Sequence, residues 1–202
     1  MKTTFIFLII ASIQGSIYSQ NYLFESGTSG FHIAGQVGTS RSSTILAISP
    51  GYTMNGKLTF GLTVGTENVT DLDLNSTSFR PYLDVMPLKQ VDNGSPISLN
   101  LGVHYQYNTF PKLSDLSINT IGFNINALHD IELSRYNKFI PSIGLSWDRS
   151  TVNLLGMKAN RNYLGINLSS AFKFNNMYIQ PLLSISKGST LLTLSFGVMF
   201  PR

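Results

Sequence analysis

Polar and apolar residues alternate along this chain with a period of two. The clearest stretch is Ile97-Ser98-Leu99-Asn100-Leu101-Gly102-Val103-His104-Tyr105-Gln106-Tyr107, where odd positions are apolar or aromatic and even positions small or polar. Such a stretch is a strand with two unlike faces. The same pattern recurs in about ten segments, at 29–39, 43–53, 57–66, 76–88, 96–108, 117–131, 137–149, 161–174, 177–187 and 190–200. A helical period is hard to find, and beyond Gln20 no apolar run approaches the roughly 20 residues of a spanning helix. These segments are longer than the about 5 or 6 residues of a globular strand, and they match the about 9 to 11 that a tilted strand needs to cross a bilayer. The pattern predicts an all-β fold, a closed antiparallel up-and-down transmembrane β-barrel of about ten strands, with eight as the alternative count.

Parity sharpens the prediction, because a row facing lipid must carry no charge. The apolar rows include Phe31, Ile33 and Val37; Leu46 and Ile48; Phe60, Leu62 and Val64; Leu83 and Val85; Ile121, Phe123 and Ile125; Ile143 and Leu145; Leu164, Ile166 and Leu168; and Ile179, Leu183 and Ile185, and none holds Asp, Glu, Lys or Arg. The opposite rows are rich in Gly, Ser, Thr, Asn and Gln and carry Arg80, Asp84 and Asp148. Ten rings share the apolar parity and read as two aromatic girdles: Phe31, Tyr52, Phe139, Phe172, Phe174 and Phe200 at the periplasmic rim, and Phe79, Tyr105, Tyr107 and Trp147 at the outer rim. Loops at 67–75, 109–116 and 150–160 are long and polar, while Asn55-Gly56 and Asn175-Asn176 read as tight inward turns. Pro50, Pro81, Pro141 and Pro181 fall inside strands and each removes a ladder donor; three lie toward the periplasmic rim, and Pro81 predicts a break in the fourth strand.

The N-terminus carries Lys2 and then an apolar run from Phe5 to Ile13, followed by a polar stretch ending in Ser19. This is a secretory signal with cleavage after Ser19, which divides the chain into residues 1–19 as signal peptide and 20–202 as a single barrel domain. The composition fits: 43% hydrophobic but 12% charged, against about 25% charged in soluble domains. Without Cys there is no disulfide framework and no Cys-based metal or redox site. The net charge of +4 is thinly spread, with no basic run for nucleic acid.

The hairpin Ser49-Pro50-Gly51-Tyr52-Thr53-Met54-Asn55-Gly56-Lys57-Leu58-Thr59-Phe60-Gly61-Leu62, the Ser19-Gln20 junction and the closing strand with Phe200 resemble the small outer-membrane β-barrel proteins of Gram-negative bacteria, the group that includes the OmpA-like transmembrane barrel. Pro201 and Arg202 follow the aromatic that ends the chain in that group. The resemblance implies a bacterial outer-membrane location, contact with outer-membrane lipid and recognition by the outer-membrane assembly machinery through the C-terminal strand. It implies no activity.

Candidate chemistry is thin. His32, His104, His129, Asp84 and Asp148 are the groups to weigh, and Arg80, Asp84 and His104 read as a polar cluster inside the barrel, since buried charges need partners. The same His104 with a carboxylate and a serine is the arrangement a lipid- or peptide-modifying barrel enzyme would use. Three His scattered over different strands have no metal-ligand spacing, and Gly61 and Gly65 read as small inward positions, not a phosphate loop; no cofactor is expected. The leading expectation is a non-catalytic outer-membrane barrel with a structural, binding or assembly role and an extracellular or periplasmic protein partner. The small inward residues leave a narrow diffusion pore as the alternative.

Overall fold

The structure is a computed structural model that describes residues 21–70, 74–90, 94–187 and 189–202. Residues 1–19, read above as an export signal, lie outside the described residues. A short 3-10 turn, Asn21–Leu23, precedes the strands β1 (Gly30–Ser40), β2 (Ser43–Met54), β3 (Leu58–Val69), β4 (Leu74–Leu88), β5 (Ser98–Thr109), β6 (Leu116–Leu128), β7 (Ile131–Glu132), β8 (Asn137–Leu154), β9 (Met157–Phe174), β10 (Met177–Ser186) and β11 (Ser189–Pro201). Each pairs antiparallel with its neighbours; β1 pairs with β11, and β6 pairs with β8. The two-residue β7 continues the line of β6 along β8 after an interruption at His129 and Asp130. Ten long strands thus close an up-and-down barrel with no free long edge, the arrangement that lets a sheet satisfy its backbone groups in lipid.

The alternation in the sequence becomes an inside and an outside. Leu46, Ile143 and Leu164 are 60%, 57% and 73% exposed on the outer wall, whereas the inward Ala34, Thr59 and Asn108 are each 0% exposed. Exposed apolar side chains stand on every long strand, so the belt runs around the wall, whereas a water-soluble surface tolerates contiguous apolar patches of roughly a few hundred Å².

Two features depart from the sequence reading. No break occurs at Pro81, because β4 runs unbroken from Leu74 to Leu88. Pro50, Pro81 and Pro181 each interrupt pairing with one neighbour only: the β2–β3, β4–β5 and β9–β10 ladders skip the proline and one adjacent residue, then resume in the same register. The other flank stays paired, as in Leu62↔Pro81 and Pro181↔Leu194. The register shift in β4 lies instead between Val85 and Leu88, around Pro87. Second, residues 150–160 are not a loop: β8 and β9 extend through them and meet at a turn of Leu155 and Gly156. Their outward side chains turn polar beyond the apolar belt, with Thr151 Oγ1 donating to Asn160 Oδ1 at 2.7 Å. Likewise Asn68 Nδ2 donates to Asn75 Oδ1 at 2.9 Å where 67–75 was expected to be loop.

Apolar side chains also gather inside, at the two ends. At the end bearing the termini, Tyr22, Leu23 and Phe24 pack with Ala34, Met86, Leu128, Ile140, Ala171, Tyr178 and Met199. At the distal end, Phe110 from the β5–β6 connection packs with Val69, Leu74, Leu116, Ile118, Val152 and Tyr163. Polar residues occupy the level between them.

Candidate functional site

The polar middle is built by a repeated device in which a long inward side chain lies across a glycine on the next strand. In the register, His104 on β5 faces Gly122 on β6, and Gly122 faces Asp148 on β8. With no side chain between them, His104 Nε2 reaches Asp148 Oδ1 at 3.1 Å, and a Cβ at Gly122 would overlap both groups. Asp84 on β4 lies over Gly102 in the same way and accepts a hydrogen bond from Asn100 Nδ2 at 3.3 Å. Tyr82 lies over Gly61, its hydroxyl 3.1 Å from His32 Nε2. Ser49 Oγ donates to the Tyr82 hydroxyl at 3.5 Å and accepts from Thr63 Oγ1 at 2.9 Å. Asn126 over Gly144 and Tyr178 over Gly197 complete the pattern. At these positions the small inward residues make room for side chains of the neighbouring strands.

Arg80, Asp84 and His104 are all buried on the inner wall, at 3%, 2% and 9% exposure. Arg80 lies within electrostatic range of both Asp84 and His104. The partnership inside the cluster differs from the sequence reading, which set His104 beside Asp84: the carboxylate against His104 is Asp148, two strands away across a glycine. His32 belongs to a second group with Tyr82. His129 sits apart at the terminal rim, Nδ1 2.7 Å from the Pro96 carbonyl oxygen. The sequence reading did not single out Tyr82, Asn100 or Gly122; the one signal it held was glycine at inward parity, without the register that says what lies opposite. Among the described residues no three His, Asp or Glu gather closely enough to hold a metal ion.

The ten girdle rings all stand on the outer wall. Phe31 pairs in register with both Tyr52 and Phe200, and its ring centroid is 4.7 Å from that of Tyr52. Phe139 and Phe172 face one another at 4.7 Å; Phe174 lies beside them. At the other level Phe79 pairs with Tyr107, Tyr105 donates to Asn119 Oδ1 at 2.6 Å, and Trp147 stacks against Phe123 at 5.8 Å.

The terminal mouth is held by cations. Lys173 Nζ donates to the Leu23 carbonyl at 2.8 Å, and Lys89 Nζ donates to the carbonyls of Phe24 and, at 3.1 Å, Gly56. The Glu25 carboxylate bridges Lys138 at 3.0 Å and Lys173 at 3.4 Å. Burial works against ionisation of Glu25, but the hydrogen bond and charge of Lys138, joined by those of Lys173, outweigh it and hold its pKa below the ordinary 4.5. Residues 22–25 are thus seated by apolar packing, backbone hydrogen bonds and an ion pair at once.

This closed ten-strand antiparallel barrel, with an apolar outer belt and a polar inner wall, has the fold of the bacterial outer-membrane β-barrel proteins. It is similar to an outer-membrane channel of Pseudomonas putida, with a TM-score of 0.52 and 11% identity over 92% of this chain and 100% of that one. It also matches Ail, the attachment invasion locus protein of Yersinia pestis, at a TM-score of 0.46 and 11% identity over 88% of this chain and 100% of that one, and Neisserial surface protein A at 0.43 and 14% over 85% and 94%. No family model and no curated protein sequence matches the chain.

Proposed function

We propose that this protein is a sealed, non-catalytic barrel of the bacterial outer membrane, its termini toward the periplasm, with a structural, binding or assembly role. One observation supports the reading: buried apolar clusters lie at both ends of a polar interior in which side chains lie across the inward glycines. The strand extensions support this orientation, since β8 and β9 carry polar outward residues such as Thr151 and Asn160 beyond the belt at the distal end, where outer-membrane barrels carry their extracellular structure. The His104–Asp148 pair lies between the two seals, a poor place for a lipid or peptide to reach. Partners are then met on surfaces: outer-membrane lipid around the belt, the assembly machinery at β11, and a protein partner at either end.

Planar-bilayer recording on purified protein that runs as a heat-modifiable band tests the reading. The expected trace is flat. Discrete, reproducible current steps from the unaltered protein would establish the diffusion pore in its place. For catalysis, a hydrolytic activity lost in a folded His104→Ala variant would defeat the non-catalytic role.

A further inference from the structure

The terminal mouth treats residues 22–25 as a bound peptide. Three kinds of recognition meet there: an apolar socket for Tyr22, Leu23 and Phe24, lysine donors on the Leu23 and Phe24 carbonyls, and paired ammonium groups for the Glu25 carboxylate. The lysines come from three different parts of the barrel, the β4 end, β8 and β9. A seal alone needs only the apolar part; the polar part reads backbone and an acid.

Beside the seated segment lies an open cavity of about 320 Å³, bordered by Arg135, Tyr136, Lys138, Lys173 and the Asn175–Asn176 turn, with Glu25 as its one acidic lining residue among those described. The Arg135 guanidinium stacks over the Tyr136 ring at 5.4 Å, which keeps a third cation at the lip. The side chains of Lys138 and Lys173 are only 11% and 14% exposed, so water screens them weakly. The cavity is thus a way in for a second acidic group to the lysines that Glu25 holds.

We propose that the terminal mouth is a receptor site for a peptide of a periplasmic partner, one carrying apolar or aromatic residues followed by an acidic residue, and that residues 22–25 occupy it in cis as a competing self-ligand. The partner's acid enters through the cavity, takes the lysine pair from Glu25, and its apolar side chains replace Tyr22 to Phe24 in the socket. This inference rests on the proposed periplasmic orientation, but not on the barrel being non-conducting.

The probe is a fluorescein-labelled peptide of the sequence Asn-Tyr-Leu-Phe-Glu-Ser, with binding to the full chain in detergent micelles read by anisotropy. A segment seated about nine-tenths of the time weakens apparent affinity about tenfold, so the peptide should bind a Phe24→Ala/Glu25→Ala variant about tenfold more tightly than the unaltered protein. Adding Lys138→Glu and Lys173→Glu should abolish binding, as should exchanging the peptide's Glu for Lys. Heat-modifiable mobility confirms that each variant is folded. Failure of a folded Phe24→Ala/Glu25→Ala protein to bind, or equal affinity for the Lys-substituted peptide, overturns the proposal. Equal affinity of the unaltered protein and the variant removes the cis competition. Displacement of the peptide by phosphatidylglycerol, where phosphatidylcholine leaves it bound, replaces the peptide by an anionic lipid headgroup. Conductance recorded on the same preparations separates failure here from failure of the sealed-barrel reading.

Discussion

At the scale of single residues, the interior is decided by where glycine falls. Gly122 lies between His104 and Asp148 in register, and its missing side chain is the space in which they meet. Gly122→Val fills that space with atoms that overlap both partners, so either the pair separates inside the barrel or the wall distorts. Overpacking of this kind costs about 1–3 kcal/mol, to be read as a lower guanidinium midpoint for unfolding in micelles; an unchanged midpoint would show that the pair is not held as the structure has it. Glu25 makes a different prediction. Its folded pKa is depressed, so its contribution to holding residues 22–25 is complete above the ordinary 4.5 and is lost as pH falls through the lower folded value. Proteolysis of residues 22–28 in the intact barrel should therefore be constant from neutral pH down to about 5 and rise only in stronger acid, given the ordinary carboxylate range. Glu25→Gln should abolish that acid-dependent rise.

Elements show how much of this fold was legible and where legibility stopped. Strand existence and facing were plain because the bilayer and the lumen impose opposite demands on successive residues, as in Leu101-Gly102-Val103-His104. Strand ends were less plain. Beyond the belt both faces of β8 and β9 can be polar, so Thr151, Asn153 and Asn160 read as loop although they continue the ladder. Which inward residues meet depends on cross-strand register, and no local pattern shows that Gly122 stands opposite His104. The packing of the N-terminal segment at the terminal end was hidden for another reason: Tyr22-Leu23-Phe24 belongs to no strand and has no period. The turns carry their own test. Asn55 and Gly56 both take positive φ, at 52° and 63°, as the central pair of the tight turn closed by Lys57 N donating to the Met54 carbonyl at 3.0 Å, a conformation that Asn-Gly favours. Leu155 and Gly156 adopt the same sign at 51° and 80°, but leucine is costly there. Leu155→Asn should stabilise the β8–β9 hairpin by about 1 kcal/mol, seen as a raised unfolding midpoint; a lowered midpoint would mean that the leucine side chain makes contacts worth more than its backbone strain.

For the whole molecule, the proposed seal has three parts in series. On the proposed reading Phe110 closes the distal end, Leu23 and Phe24 close the terminal end, and Tyr82 with Arg80, Asp84 and His104, all buried, occupies the polar level between them. In a series path the narrowest remaining obstruction governs the current, so removing one leaves the others in control. Phe110→Gly alone, and Phe24→Gly alone, should each leave a planar bilayer silent. The two together open both apolar ends but still leave the interlocked middle, and they too should pass no steady current. Adding Tyr82→Gly removes the largest ring from that middle and frees the space over Gly61, so the triple variant is the one expected to give discrete channel steps, provided that it retains heat-modifiable mobility. The order matters. Current from Phe110→Gly by itself would mean that the polar middle already holds a continuous aqueous path, and that a single distal ring makes the difference between a barrel and a pore.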